Sequence, residues 1–135
     1  MTVRHSDLLS ELVDRPEFGV LATSNPDGST HLCVMWVGLQ GTDVILASRR
    51  GRPQVRNIQA NPDISLLIHD RAAPTRYVQL RGQATVEADY LGHVVNELAH
   101  KYTGRDHTSL DSTDTSDRVV LRVSPNFVSA YPRAA

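Results

Sequence analysis

Phe18-Gly19-Val20-Leu21-Ala22-Thr23-Ser24, then Asn25-Pro26-Asp27-Gly28, then Thr30-His31-Leu32-Cys33-Val34-Met35-Trp36-Val37-Gly38 read as strand, tight turn and strand. Pro and Gly stand where a tight turn needs a fixed φ and a left-handed residue, and the flanking runs are apolar and β-branched. The pair predicts a β-hairpin. Downstream, Gln40-Gly41-Thr42-Asp43 marks another turn before a strand at Val44 to Ser48. Further strands follow at Ile64 to Ile68, Arg76 to Glu87 and Arg118 to Ser124, with an extended Phe127 to Tyr131 at the end. Gly82, inside the alternating run Val78 to Val86, predicts a bulge or sharp bend of the kind that barrel closure requires.

Three stretches have helical spacing instead. Leu8, Leu9, Leu12 and Val13 recur on one face between a candidate N-cap at Ser6 and Pro16. Pro53 opens a short helix through Val55 and Ile58 that Asn61-Pro62-Asp63 stops. Asp89 to Tyr102 is the longest candidate, with Leu91, Val94, Val95, Leu98 and Tyr102 on one stripe and Gly104 past its end. Thr103 to Ser116 is polar and predicts a loop. Six or seven short strands with helical inserts describe a mainly β, partly helical barrel in one domain of 135 residues, not a parallel βαβ sheet.

Composition narrows the function. Lys+Arg total 14 against 15 Asp+Glu, a net charge of -1, so no global positive field exists to hold nucleic acid or an anionic membrane. One Trp, four Tyr and two Phe give little material for a base-stacking platform. Cys33 is the single cysteine, which excludes an intrachain disulfide and fits a reducing cytoplasm. No window approaches the roughly 20 apolar residues of a membrane span, and the N-terminus lacks the apolar run of a signal peptide.

The stretch richest in chemistry is Ala47-Ser48-Arg49-Arg50-Gly51-Arg52-Pro53-Gln54-Val55-Arg56-Asn57, four arginines and a hydroxyl where a strand end meets a helix start. It reads either as a phosphate cradle, with first-turn N–H groups, helix dipole and guanidinium forks converging on an anion, or as a solvated basic turn. It is not a Walker loop, because the Gly-Lys-Ser/Thr ending is absent. His93, Glu97 and His100 share a helix face, but two imidazoles and a carboxylate need further ligands to hold a metal, and a solvated face accounts for them. Cys33 reads as a packed thiol, His31 as a hydrogen-bonded strand residue, and Trp36 as either core or ligand contact. No acid–base dyad is evident, so no catalytic residue is assigned.

The order of these segments resembles the pyridoxamine 5′-phosphate oxidase-like split barrels over about residues 8 to 125. The resemblance is carried by Phe18 to Thr23 with Asn25 to Gly28 and His31, Met35-Trp36-Val37, Asn57-Ile58, Asn61-Pro62-Asp63 with Ile64 to Ile68, Arg76 to Gly82, and Lys101-Tyr102-Thr103-Gly104. Within that family the wording and length are most similar to members that use the deazaflavin coenzyme F420, with FMN the alternative. The resemblance implies an oxidoreductase passing hydride to a small organic acceptor. It equally admits a non-catalytic cofactor- or tetrapyrrole-binding relative. It implies that Ser48, Arg52 and Gln54 face the cofactor phosphate, that Met35, Trp36 and Ala47 lie along its ring or ribityl chain, and that Tyr77 approaches from the partner subunit of a homodimer. Gln54 departs from the family's usual lysine at that position. Loss of one cationic contact to phosphate weakens binding by roughly 10- to 100-fold, which leaves ordinary binding, weak binding and no binding all open.

Overall fold

A computed structural model describes residues 5–106 and 114–132. Helix α1 (His5–Asp14) is followed by strands β1 (Gly19–Ser24), β2 (Thr30–Met35), β3 (Val37–Gln40) and β4 (Asp43–Arg49). Then come α2 (Pro53–Ala60), β5 (Asp63–His69), β6 (Tyr77–Ala88), α3 (His93–Thr103) and β7 (Arg118–Tyr131). All seven strands join one sheet in the order β2-β1-β5-β6-β7-β4-β3, and every pairing is antiparallel.

The first hairpin forms where the sequence places it, with Gly28 at φ 86° and its N–H on the Asn25 carbonyl at 2.9 Å. The second strand does not run through to Gly38. It breaks at Trp36, and the halves pair with different neighbours: β2 with β1, β3 with β4. These halves are the two edges of the sheet. In a flat seven-stranded sheet the edges would stand about 29 Å apart, whereas one intervening residue spans about 7 Å. The sheet therefore curls until its edges approach at Trp36, which makes it a split barrel.

Closure also requires the long strands to bend. β6 and β7 lose register at Arg81/Gly82, where Arg81 faces Phe127 and Gly82 faces Pro125, leaving Asn126 as the extra residue. A Cβ at Gly82 would lie 2.2 Å from the Ser124 carbonyl oxygen, so the bulge admits only glycine there. The two expected C-terminal segments are consequently one 14-residue strand.

Inside the curl, Leu8, Leu12 and Val13 of α1 pack with Leu21, Val37, Leu46, Leu66, Leu80 and Leu121, all at most 2 % exposed. α1 starts at His5, so Ser6 falls within its first turn. α3 lies against the other side of the sheet, where the side chains of Leu98 and Ile45 both approach Gly38. It begins at His93, later than its apolar stripe implies. Gly92 is left-handed at φ 69°, and Leu91 is 78 % exposed instead of buried. Asp89 acts from a distance as the cap: its carboxylate accepts the N–H groups of Val94 at 3.4 Å and Val95 at 3.2 Å. Gly104 ends the helix in the left-handed region, φ 73°, with its N–H on the His100 carbonyl. Residues 107–113 of the polar loop lie outside the described residues.

Candidate functional site

The end of β2, the last residues of β4, the start of α2 and one flank of α3 enclose a cleft of about 510 Å³. Its apolar wall is Val34, Met35, Trp36, Ala47 and Val95; its polar end is Ser48, Arg49, Arg52, Gln54 and Arg118. None of the lining residues is acidic. A cavity of this size, apolar on one side with a few converging polar groups, is the form that small-molecule and cofactor sites take.

Each wall has a local cause. Trp36 occupies the break between β2 and β3, and its ring stacks on Tyr102 of α3 with centroids 5.2 Å apart and planes 7° from parallel. Tyr102 stacks in turn on Phe18 at 5.4 Å. Its hydroxyl accepts the Val37 N–H at 3.0 Å and donates to the Glu17 carbonyl at 2.5 Å. Lys101 donates to the carbonyls of Val13 and Val37 from the same helix end. Trp36 is thus fixed from behind, with its position set by three elements.

The polar end rests on helix α2. Asn57, 6 % exposed, donates to Thr23 Oγ1 at 3.1 Å and Asn25 Oδ1 at 2.9 Å, which ties the helix to the first hairpin. Gly51, at φ 85°, turns the chain from β4 into the helix. Gln54 donates through Nε2 to Ser48 Oγ at 3.2 Å. Arg49 donates to the Asp117 carboxylate and to the Asp114 carbonyl. Arg118, 7 % exposed, stands opposite Arg49 in the β4–β7 register, which places their Cβ atoms about 5 Å apart.

The expected donor set is only partly present. Pro53 has no N–H, and the N–H groups of Val55 and Arg56 are spent on the Arg52 carbonyl at 3.0 and 3.1 Å. The anion-binding capacity lies more in side chains than in a ring of free helix amides. Of the expected site residues, Met35, Trp36, Ala47, Ser48, Arg52 and Gln54 come together on this one cleft. Tyr77 does not line it within its own chain; it stacks on Tyr131 at 5.6 Å, and its expected route to a cofactor is from a second subunit.

Val34, Arg49, Val95, Thr103 and Arg118 line the cleft without having been singled out as cofactor contacts. Arg49 stood within the basic stretch. Arg118 carried no signal, because it reaches the site through strand pairing across about seventy residues. Elsewhere, His100 Nε2 lies 2.5 Å from Asp106. Among the described residues, no three His, Cys, Asp or Glu side chains gather where a metal ion could sit. Burial holds the Cys33 thiol above its ordinary pKa, so it is a poor nucleophile.

The sequence model of pyridoxamine 5′-phosphate oxidase matches residues 6–131, nearly the whole chain. The chain belongs to the pyridoxamine 5′-phosphate oxidase family. Solved structures agree. An F420 reductase is 32% identical, with a TM-score of 0.80 over 89% of this chain and 94% of that one. A conserved hypothetical protein, Rv2991 of Mycobacterium tuberculosis, is 23% identical, TM-score 0.79, covering 96% of this chain and 85% of its own. A putative pyridoxamine 5′-phosphate oxidase from Listeria innocua is 19% identical, TM-score 0.69, covering 94% and 97%. The last two share the fold. No curated protein matches the chain. No helix among the described residues is long and apolar enough to cross a membrane.

Proposed function

We propose that this family member is a cytoplasmic oxidoreductase that uses reduced coenzyme F420 to deliver hydride to a small organic acceptor. The observation that carries the reading is the single cleft in which an apolar wall, Met35, Trp36 and Ala47, leads into a polar end of Ser48, Gln54 and Arg52. A tricyclic ring with a ribityl phosphate has the same two-part character. The F420 reductase similar to this chain supports the deazaflavin over FMN. Bound there, the cofactor supplies the two-electron chemistry. Trp36 and Met35 orient and dehydrate the ring, Ser48 and Arg52 hold the phosphate, and no side chain is assigned as proton donor.

A homodimer completes the site in this reading. On the outer sheet face Val20 lies between Val34 and Leu67, and Ala22 between Leu32 and Ser65. Leu32 is 64 % and Val34 67 % exposed, although both lie in an apolar patch that water does not favour. Val34 belongs both to this patch and to the cleft, so a second copy seated on the patch would also wall the cleft. Sedimentation of purified protein tests this: a dimer is expected, and a monomer at tens of micromolar contradicts it.

The enzymatic claim is tested by mixing protein with reduced coenzyme F420 and a panel of enones, quinones and imines, and following cofactor oxidation. Turnover above the protein-free rate is expected with at least one acceptor. A yellow protein as purified would move the assignment to FMN. Gln54 favours a second reading, a carrier that binds without turnover, because the phosphate end lacks the family's lysine charge. Tight cofactor binding with no oxidation across the panel would establish that one instead.

A further inference from the structure

We infer that Trp36 and Tyr102 form a one-electron relay, in which a radical oxidant in the cleft takes an electron from Trp36 and Tyr102 restores it, so that the radical leaves the cleft wall. The inference goes beyond the cofactor reading and does not depend on which molecule occupies the cleft.

The wall offers one site for oxidation by a single electron. Its lining residues include neither Tyr nor Cys, and Met35, a thioether, gives up one electron far less readily than an indole. Trp36 is half-buried and is the only tryptophan of the chain. Its ring meets Tyr102 nearly face to face, centroids 5.2 Å apart and planes 7° from parallel, the range of offset stacking in which two π systems touch. Tyr102 does not itself line the cleft, so an electron passed from it to Trp36 moves the vacancy away from any occupant. Beyond Tyr102 the stack continues to Phe18 at 5.4 Å, and a benzene ring is too hard to oxidise to carry the vacancy further. The relay therefore has two members and one direction.

At neutral pH a phenol that has lost an electron and a proton is a slightly more stable radical than an indolyl, so transfer from Tyr102 to Trp36 runs downhill. Lys101 Nζ stands 4.9 Å from the Tyr102 ring centroid. A cation there disfavours a positively charged phenol radical, so the electron and the proton leave together. In the first step the oxidant is reduced by one electron, and Trp36 releases its indole proton to water. In the second, Tyr102 gives an electron to the indolyl radical, which regains a proton from water, while the phenolic proton departs to water. Tyr102 is only half-buried, so water reaches it. The bond to the Glu17 carbonyl is lost with that proton, but the phenoxyl oxygen keeps the Val37 N–H, 3.0 Å away, as its donor. The net change is one electron and one proton removed from Tyr102, with Trp36 restored.

The test is pulse radiolysis of the purified protein in azide solution at neutral pH, where the azide radical is the one-electron oxidant and attacks tryptophan in preference to other side chains. The indolyl radical is followed by its visible band and the tyrosyl radical by its near-ultraviolet band. In wild-type protein the indolyl band is expected to decay at a rate independent of protein concentration, with the tyrosyl band rising in step. Tyr102→Phe keeps the stack and is expected to slow the indolyl decay by about tenfold or more and to abolish the matching tyrosyl rise. A variant in which Tyr77, Tyr90 and Tyr131 are all replaced by Phe keeps Tyr102 as its one phenol and is expected to retain the wild-type rate. The inference is overturned by an indolyl decay that depends on protein concentration, by a tyrosyl rise that survives in Tyr102→Phe at the wild-type rate, or by its loss from the triple variant. The two variants test Tyr102 from opposite sides, so either suffices if the other fails to fold.

Discussion

Tyr102 lies flat against Trp36, centroids 5.2 Å apart and planes 7° from parallel, while its hydroxyl accepts the Val37 N–H at 3.0 Å. One side chain from α3 thereby holds both the ring and the backbone of the bend where the barrel edges meet. Tyr102→Phe keeps the stack and orphans the Val37 N–H, which should cost about 1 to 3 kcal/mol of stability in urea denaturation. Tyr102→Leu removes the stack as well. Because Trp36 is the only tryptophan, its emission should shift to the red in Tyr102→Leu and stay near the wild-type position in Tyr102→Phe.

Trp36→Leu tests the part of the same residue that lines the cleft. On the proposed function, a ring stacked against Trp36 would gain about 0.5 to 1.5 kcal/mol beyond area burial, so coenzyme F420 binding should weaken by up to about tenfold in isothermal titration. An unchanged affinity would show that the ring of Trp36 serves the stack alone.

Gly82→Ala should destabilise by about 3 kcal/mol or more, because the added Cβ meets backbone on the facing strand at 2.2 Å and the β6–β7 bulge cannot give way cheaply. Thermal melting and soluble yield report the effect. Gly28→Ala, at a turn where nothing lies within 4 Å of the added Cβ, is the control for φ strain without a clash.

Acid stability is linked to the ion pairs between α1 and the loop before β6. Hydrogen bonds from Arg76 hold the Glu11 carboxyl below its usual value of 4.5, aided by charge from Arg76 and Arg15. Burial pushes Asp70 upward, but the N–H groups of Ala72 and Ala73 and the charges of Arg15 and Arg76 outweigh it and leave it below 3.8. A carboxyl depressed in the folded state contributes stability above its unfolded pKa and loses it as pH falls through the folded one. The stabilisation should therefore be complete above about pH 5 and fade below 4. Glu11 is half exposed, so Glu11→Gln should lose about 0.5 kcal/mol at pH 7 and show a shallower acid limb in pH-dependent melting.

Lys101 acts in the opposite range. Burial lowers it from 10.5 to about 8, partly opposed by the charge of Asp14. The unfolded chain binds this proton more strongly, so the folded state gains stability as pH rises past about 8. The neutral amine still has two N–H groups for the carbonyls of Val13 and Val37. Between pH 8 and 9.5, below the raised pKa of Tyr102, the urea midpoint of wild-type protein should rise relative to that of Lys101→Met.

The strand runs, the turn at Asn25 to Gly28 and the bulge at Gly82 were legible because local composition determines them. The break at Trp36 was not: Val34 to Leu39 is continuously apolar, and only its change of pairing partner from β1 to β4 divides it. The start of α3 was misplaced because Leu91 continues the helical stripe by accident of spacing, while a carboxylate at Asp89 sets the true first turn. In the cleft, residues near one another in sequence, Ser48, Arg52 and Gln54, could be named from the pattern and the resemblance. Arg118 could not, since register with Arg49 places it there and register is a property of the whole sheet.

The most direct test of the account is equilibrium titration of the purified protein with coenzyme F420 and with FMN, read by cofactor fluorescence and by quenching of Trp36. Coenzyme F420 is expected to bind with a Kd below about 100 μM, near -5.5 kcal/mol, to bind more tightly than FMN, and to quench the tryptophan in step. If neither cofactor binds below that concentration, the cleft between Trp36 and Gln54 is not a flavin or deazaflavin site and the functional account is wrong.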